Sequence, residues 1–308
     1  RRYADTLIRK VRIVGIENPQ NVGGKASTIK AAFDGLSTSE ELTANTDYYA
    51  KIGGKAVVKI TTGDTAPADE AAFAALFDGV TFTEDGTKAL TADEGEPRQG
   101  YTDPAAVDPM GSVTVIDVDS KNAVTVDFKS FDAKRDELVA AGIVLKKNTA
   151  PSVDLEPEYI AVSGNKAYIA LQEANAVAVL NIAALQFENI FSFGFEDYSQ
   201  VAVDLNKSDG IYDPATYEHV KGIRMPDGIA IATINGETYL LSANEGDSRV
   251  WPVGIETDFN EIKDKVSPIS STKTGGKVTW FDVDGYDGLE AGTDYVFGGR
   301  SFSIFKVT

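Results

Sequence analysis

The 308-residue chain has no cysteine, one histidine, two methionines and two tryptophans. Without cysteine it forms no disulfide and no thiolate metal site, and its redox compartment stays open. A single histidine, His219, excludes a multi-histidine zinc centre within the chain. Positive charge is also scarce: 29 Lys and Arg against 47 Asp and Glu give a formal charge of −18. Such a surface repels phosphate backbones and anionic lipid, so neither nucleic acid nor a membrane surface is an expected partner. No apolar run approaches the ~18 residues that a membrane span needs. No signal peptide opens the chain, which begins Arg1-Arg2-Tyr3, as expected of a mature or processed fragment. There is no G-x-S-x-G, and "GGKAS" at 23–27 lacks the first glycine and the Lys-Ser/Thr ending of a phosphate loop. His219 has no Ser or Cys motif nearby and reads as structural.

What the chain does have is many short runs rich in Val, Ile, Tyr and Phe, punctuated by Gly, Asn and Asp, which is strand chemistry. "YIAVSG", "KAYIALQ", "AVAVLNI" and "ENIFSFG" fill 159–194 with four such runs. The same order runs through 79–131 as "GVTFT", "TKALTA", a long insertion, "GSVTVIDV" and "AVTVDFKSF". It begins again at 228–243 with "GIAIATI" and "ETYLLSA", and "GKVTWFDV" at 276–283 is expected to continue that copy. Four antiparallel strands in succession make one propeller blade. The predicted fold is therefore all-β: a complete or partial β-propeller of four-stranded antiparallel blades, with long loop insertions and a few short peripheral helices. Helices are expected at 67–77 ("PADEAAFAALF") and 132–142 ("DAKRDELVAAG", Asp132 as N-cap). Residues 1–66 form a divergent segment with two strands, "TLIRKVRIVGI" and "GKAVVKITT", and a helix near 27–34, supplying the first blade or blades. Residues 67–308 form the propeller blades.

Overlaying the three copies aligns their acids. Each opens on an acid, Asp78, Glu158 or Asp227, and each second strand ends on a glutamate, Glu94, Glu173 or Glu245. In a radial array, equivalent positions converge on one axis, and several carboxylates in one place do not all ionise without a cation. Two second strands end almost identically, "TADEGEPR" at 91–98 and "SANEGDSR" at 242–249, and each begins a long insertion. Either Arg98 and Arg249 brace the loop bases through ion pairs, or they join Glu94, Glu96, Glu245 and Asp247 at a ligand-binding mouth, with the arginines taking an anionic group. "DLNKSDG" spaces Asp204, Asn206, Ser208 and Asp209 as oxygen ligands for calcium, although its glycine falls one place late and no Glu closes the loop. Asn206-Lys207-Ser208 is also a glycosylation sequon, which competes with the metal reading.

Seven segments in order, "GVTFTEDGTKALTADEGEPR", "DPMGSVTVIDV", "DLEPEYIAVSG", "AYIALQEANAVAVLNI", "GIRMPDGIA", "LLSANEGDSR" and "FGGRSFSIF", resemble the choice-of-anchor I family over roughly 78–305. The resemblance implies a secreted or surface-anchored β-propeller. Relatives carry names such as mesenchyme-specific cell surface glycoprotein, and some are labelled alkaline phosphatase. Two functions are weighed. The first is a structural, adhesive or ligand-presenting surface protein with structural calcium, whose partners are other extracellular proteins, glycans or further copies of itself. The second is a metal-dependent phosphoesterase or lactonase with its site at the channel mouth.

Overall fold

The structure, a computed structural model, describes residues 11–13, 47–52, 56–61, 80–95, 108–206, 210–249 and 261–307. It is mostly β. Strands β1 (Val11–Ile13), β2 (Asp47–Ile52) and β3 (Ala56–Thr61) form an antiparallel sheet in that order. The runs read as strands in this segment contain β1 and β3, and β2 lies between them. The helices expected near 27–34 and over 67–77 lie outside the described residues.

Strands β4 (Val80–Phe82), β5 (Lys88–Asp93), β6 (Ser112–Asp117) and β7 (Ala123–Asp127) form a four-stranded sheet in chain order. A 3₁₀ turn at Lys129–Lys134 then leads into helix α1 (Arg135–Ala140). Asp132, expected to cap that helix, sits in the 3₁₀ turn and accepts the Ser152 N–H and Oγ–H at 2.9 and 3.0 Å. Strand β8 (Leu145–Lys146) and the short helix α2 (Pro151–Asp154), with proline in its first turn, follow. Next come β9 (Ile160–Ser163), β10 (Lys166–Leu171), β11 (Ala176–Asn181) and β12 (Gln186–Ser192), ordered β12-β11-β10-β9. Five of the six positions in each of β10 and β11 are buried, so both faces of these central strands are covered and they read as continuous apolar runs.

The remaining strands are β13 (Phe195–Asp197), β14 (Val220–Ile223), β15 (Pro226–Ile234), β16 (Glu237–Asn244), β17 (Glu261–Val266), β18 (Lys273–Phe281), β19 (Tyr286–Asp287), β20 (Asp294–Phe297) and β21 (Ser301–Lys306). Here the structure corrects the sequence reading. The run at 276–283 does not continue the sheet begun by β15 and β16; β21 takes that place, from Tyr239↔Lys306 to Asn244↔Ser301. Strand β18 belongs to a five-stranded sheet ordered β13-β14-β20-β18-β17, in which β14 and β20 run parallel. The reason is burial. Trp280 is fully buried with Tyr198, Val220 and Val296, and Phe281 with Ile223, Met225 and Tyr295. The Trp280 Nε1–H also donates to the Asp264 carbonyl of β17 at 3.2 Å. Two large aromatics buried in that sheet outweigh the local continuity that would keep β18 beside β16.

By compactness the chain divides into two units. One comprises Arg1–Thr91, Thr114–Thr125 and Ile160–Ala167; the other comprises Ala92–Val113, Val126–Tyr159 and Tyr168–Thr308. Among the described residues no helix is long and apolar enough to cross a membrane.

Candidate functional site

All residues of the site belong to the second unit. It is organised by the two Glu-Gly corners. Gly95 and Gly246 both have φ of +84°, in the left-handed region that favours glycine. A Cβ at Gly95 would press on the backbone of Met110 and Gly111, and one at Gly246 on that of Phe297 and Gly298. Gly111 immediately precedes β6, and Gly298 stands shortly before β21, so each corner lies where its sheet's third strand arrives. The repeated "EG" is thus a backbone crossing that only glycine fills. Gly298 is itself left-handed, at φ +75°, and a Cβ there would overlap the Glu245 carbonyl oxygen. Gly298→Ala is therefore expected to destabilise the chain by more than about 1 kcal/mol, measured as a lower urea midpoint.

Acidic side chains gather beside these corners. Asp154 ends α2, and in the extended chain that follows it the two-residue spacing of Glu156 and Glu158 puts their side chains on one face. Asp154, Glu156 and Glu173 are buried, and Glu158 is partly buried. Burial, the neighbouring charges of Glu173, Glu94 and Asp227 and a side-chain hydrogen bond with Glu173 push the Glu158 carboxyl up to about 10. Burial together with Glu173, Asp154 and Asp108 pushes Glu156 up to about 9, against the pull of Arg249. Glu173 is raised to about 7 by burial, with Glu94 and Asp247 adding to it and Arg249 opposing. Glu158 thus feels acids from the ends of other strand pairs, Glu94, Glu173 and Asp227, and Glu173 feels Glu94. At neutral pH burial and these charges keep Glu156 and Glu158 protonated. Glu173 Oε2 is a buried oxygen that finds no hydrogen-bond partner among the described residues.

Arg249 stands among these acids, itself buried. Its Nε lies 3.0 Å from Asp154 Oδ1, and its Nη2 donates to Asp154 Oδ2 at 3.1 Å. The same guanidinium donates to the carbonyls of Glu173 (3.1 Å) and Val144 (3.2 Å), and it lies over the Tyr286 ring, 5.0 Å from its centroid. Burial works against the Arg249 charge, but Asp154, Tyr286, Glu156 and Glu173 hold the guanidinium above its usual value. Burial likewise pushes the Asp154 carboxyl up, opposed by Arg249 and by the Lys146 N–H, which donates at 2.7 Å. Of the two roles weighed for Arg249, this geometry is that of the brace: it ties the end of one corner to the residue before β8, to α2 and to the turn after β10.

Of the other residues singled out in the sequence, Glu245 and Asp247 are exposed at their corner, and Asp227 is partly buried in β15. Asp204 Oδ1 accepts the Asn206 N–H at 2.8 Å, a local turn, and its carbonyl accepts Arg300 Nη1–H at 2.8 Å. Asp78, Glu96, Arg98, Ser208 and Asp209 lie outside the described residues. His219 is an exposed turn residue with φ +61°, and its carbonyl accepts the Asp294 N–H. Among the described residues no group of three or more His, Asp or Glu side chains is arranged to hold a metal ion. Asp154, Glu156 and Asp108 were missed by sequence reading; the alternating acids of "DLEPE" are the signal that could have found the first two.

The choice-of-anchor I domain family matches residues 42–308. No curated protein matches the chain. Among solved structures the chain is similar to a luciferin-regenerating enzyme (13% identity, 82% of this chain and 56% of that one, TM-score 0.26). It is also similar to U3-55K (7%, 88% and 57%, TM-score 0.29). A third is the Malassezia sympodialis allergen Mala s 1 (10%, 85% and 72%, TM-score 0.23). The chain spans a little over half the length of the first two, and likenesses at these TM-scores say nothing about function.

Proposed function

Because the chain belongs to the choice-of-anchor I family, we propose that it is a cell-surface or secreted β-propeller that serves a structural, adhesive or ligand-presenting role, with calcium held at its central acids. The observation that carries this reading is that partly buried Glu158 feels the charges of Glu94, Glu173 and Asp227, acids that the repeat aligns at strand ends. Radial packing of blades brings such positions together. An all-oxygen donor set suits a hard cation, and Glu173 Oε2, which has no hydrogen-bond partner among the described residues, supplies a ligand oxygen inside the cluster. Calcium would enter by displacing the cluster's protons, with the carboxylates closing on it. The acidic surface supports partners that are extracellular proteins or glycans rather than nucleic acid. Of the two arginines weighed for the hydrolase reading, Arg249 is engaged with Asp154.

Thermal unfolding with saturating calcium and then with chelator tests the proposal, alongside phosphate-ester turnover on the same sample. Calcium is expected to raise the melting temperature by about 5 °C or more, with no turnover. An unchanged melting temperature would remove calcium from the reading. Turnover lost in Glu173→Gln, with the fold intact, would replace the surface role with a hydrolase.

A further inference from the structure

We propose that the wedge between β18 and β20 binds a small monocarboxylate with a short apolar tail. It is separate from the acidic cluster and independent of the function proposed above. Strands β18 and β20 meet at one residue pair, Trp280↔Val296. Continued antiparallel pairing would set Val278 against Gly298. Instead Gly298 turns away into the Glu245 corner, and Arg300 follows in the left-handed region at φ +48°. The departing chain leaves a small open depression of about 80 Å³, lined by Leu205, Val278, Val296 and Phe297 on its apolar side and by Thr279, Lys277 and Arg300.

The two cations give the wedge its chemistry. Elsewhere Lys88, Arg135, Lys221, Arg224 and Arg249 each hold a carboxylate. Lys277 and Arg300 form no ion pair among the described residues. Arg300 directs Nη1 to the Asp204 carbonyl, which fixes the side chain across the wedge and leaves further N–H donors of its planar fork for an anion. A cationic pair beside four apolar walls suits a ligand with one charged end and one apolar end. The net charge of −18 disfavours a multiply charged anion and selects a single carboxylate over a phosphate.

Hexanoate is the probe, titrated into the full chain by calorimetry and by ¹H–¹⁵N spectra, with hexanol, acetate and inorganic phosphate as comparisons. Saturable binding of hexanoate alone is expected, with the largest shifts at the amides of Val278 and Phe297. Lys277→Ala and Arg300→Gln are each expected to weaken it about tenfold. Lys277 and Arg300 are exposed, so the melting temperature should not follow the loss. Equal binding of hexanol would reduce the wedge to an apolar dent. Equal binding of phosphate or acetate would reduce it to a diffuse positive patch. Hexanoate binding that survives both substitutions, or no binding at all, would overturn the proposal.

Discussion

Arg249→Ala is expected to lower the stability of the folded chain by about 3–5 kcal/mol, seen as a fall in urea midpoint with little change in slope. The size comes from what is left behind. Asp154 is 3% exposed and, among the described residues, is left with the Lys146 N–H and the Lys146 charge, so its own charge is poorly compensated in the interior. The carbonyls of Glu173 and Val144 lose their donor at the same time, and Tyr286 loses the cation over its ring. Replacing both members discriminates between a lost attraction and a stranded charge. Arg249→Met with Asp154→Asn keeps an acceptor for Lys146 and removes both charges, and should recover at least half of the loss. A double variant no more stable than Arg249→Ala would assign the cost to the orphaned carbonyls.

The second large effect is on pH. Glu156, Glu158 and Glu173 have carboxyls raised above the unfolded value near 4.5, so between that value and their folded ones the native state holds more protons than the unfolded state. Their contribution is fully present below pH ~4.5 and is lost as pH rises, through about 7 for Glu173, about 9 for Glu156 and about 10 for Glu158. Measured with chelator present, the melting temperature is expected to fall steadily from pH 5 to pH 9. Keeping Glu156 protonated at pH 7 costs about 3 kcal/mol relative to an ionised unfolded chain. Glu156→Gln removes that cost and keeps a polar side chain there, and should raise the melting temperature at pH 8 while leaving it unchanged at pH 4. Glu158→Gln, which preserves a donor toward Glu173, should act in the same direction. A melting temperature that rises between pH 5 and pH 9 would show the cluster to be solvated.

Local chemistry made much of this legible. Strand runs broken by Gly, Asn and Asp gave both four-stranded meanders, because hairpin-linked strands pair with their sequence neighbours. The Glu-Gly repeat marked two corners, because a backbone crossing imposes the same residue wherever it recurs. The partner of β16 was not legible. The sequence reading assigned that place to "GKVTWFDV", and only the burial of Trp280 and Phe281 among distant residues takes this run to another sheet and leaves "SFSIF" to pair with β16. The brace was half legible: "NEGDSR" pointed to Arg249, but Asp154 lies 95 residues away and is brought beside it by the fold.

The pairing of β16 with β21 also has a consequence in time. Asn244 and Ser301 are 57 residues apart along the chain. At a synthesis rate of roughly 5–20 residues per second, β16 leaves the ribosome several seconds to about ten seconds before β21. Throughout that interval one edge of the β15–β16 hairpin has nothing to bond, in a nascent chain already exposing Leu240 and Leu241. The interval is set by the length of the excursion through β17, β18 and β20, so shortening that excursion would shorten the time for which the growing protein is open to mispairing.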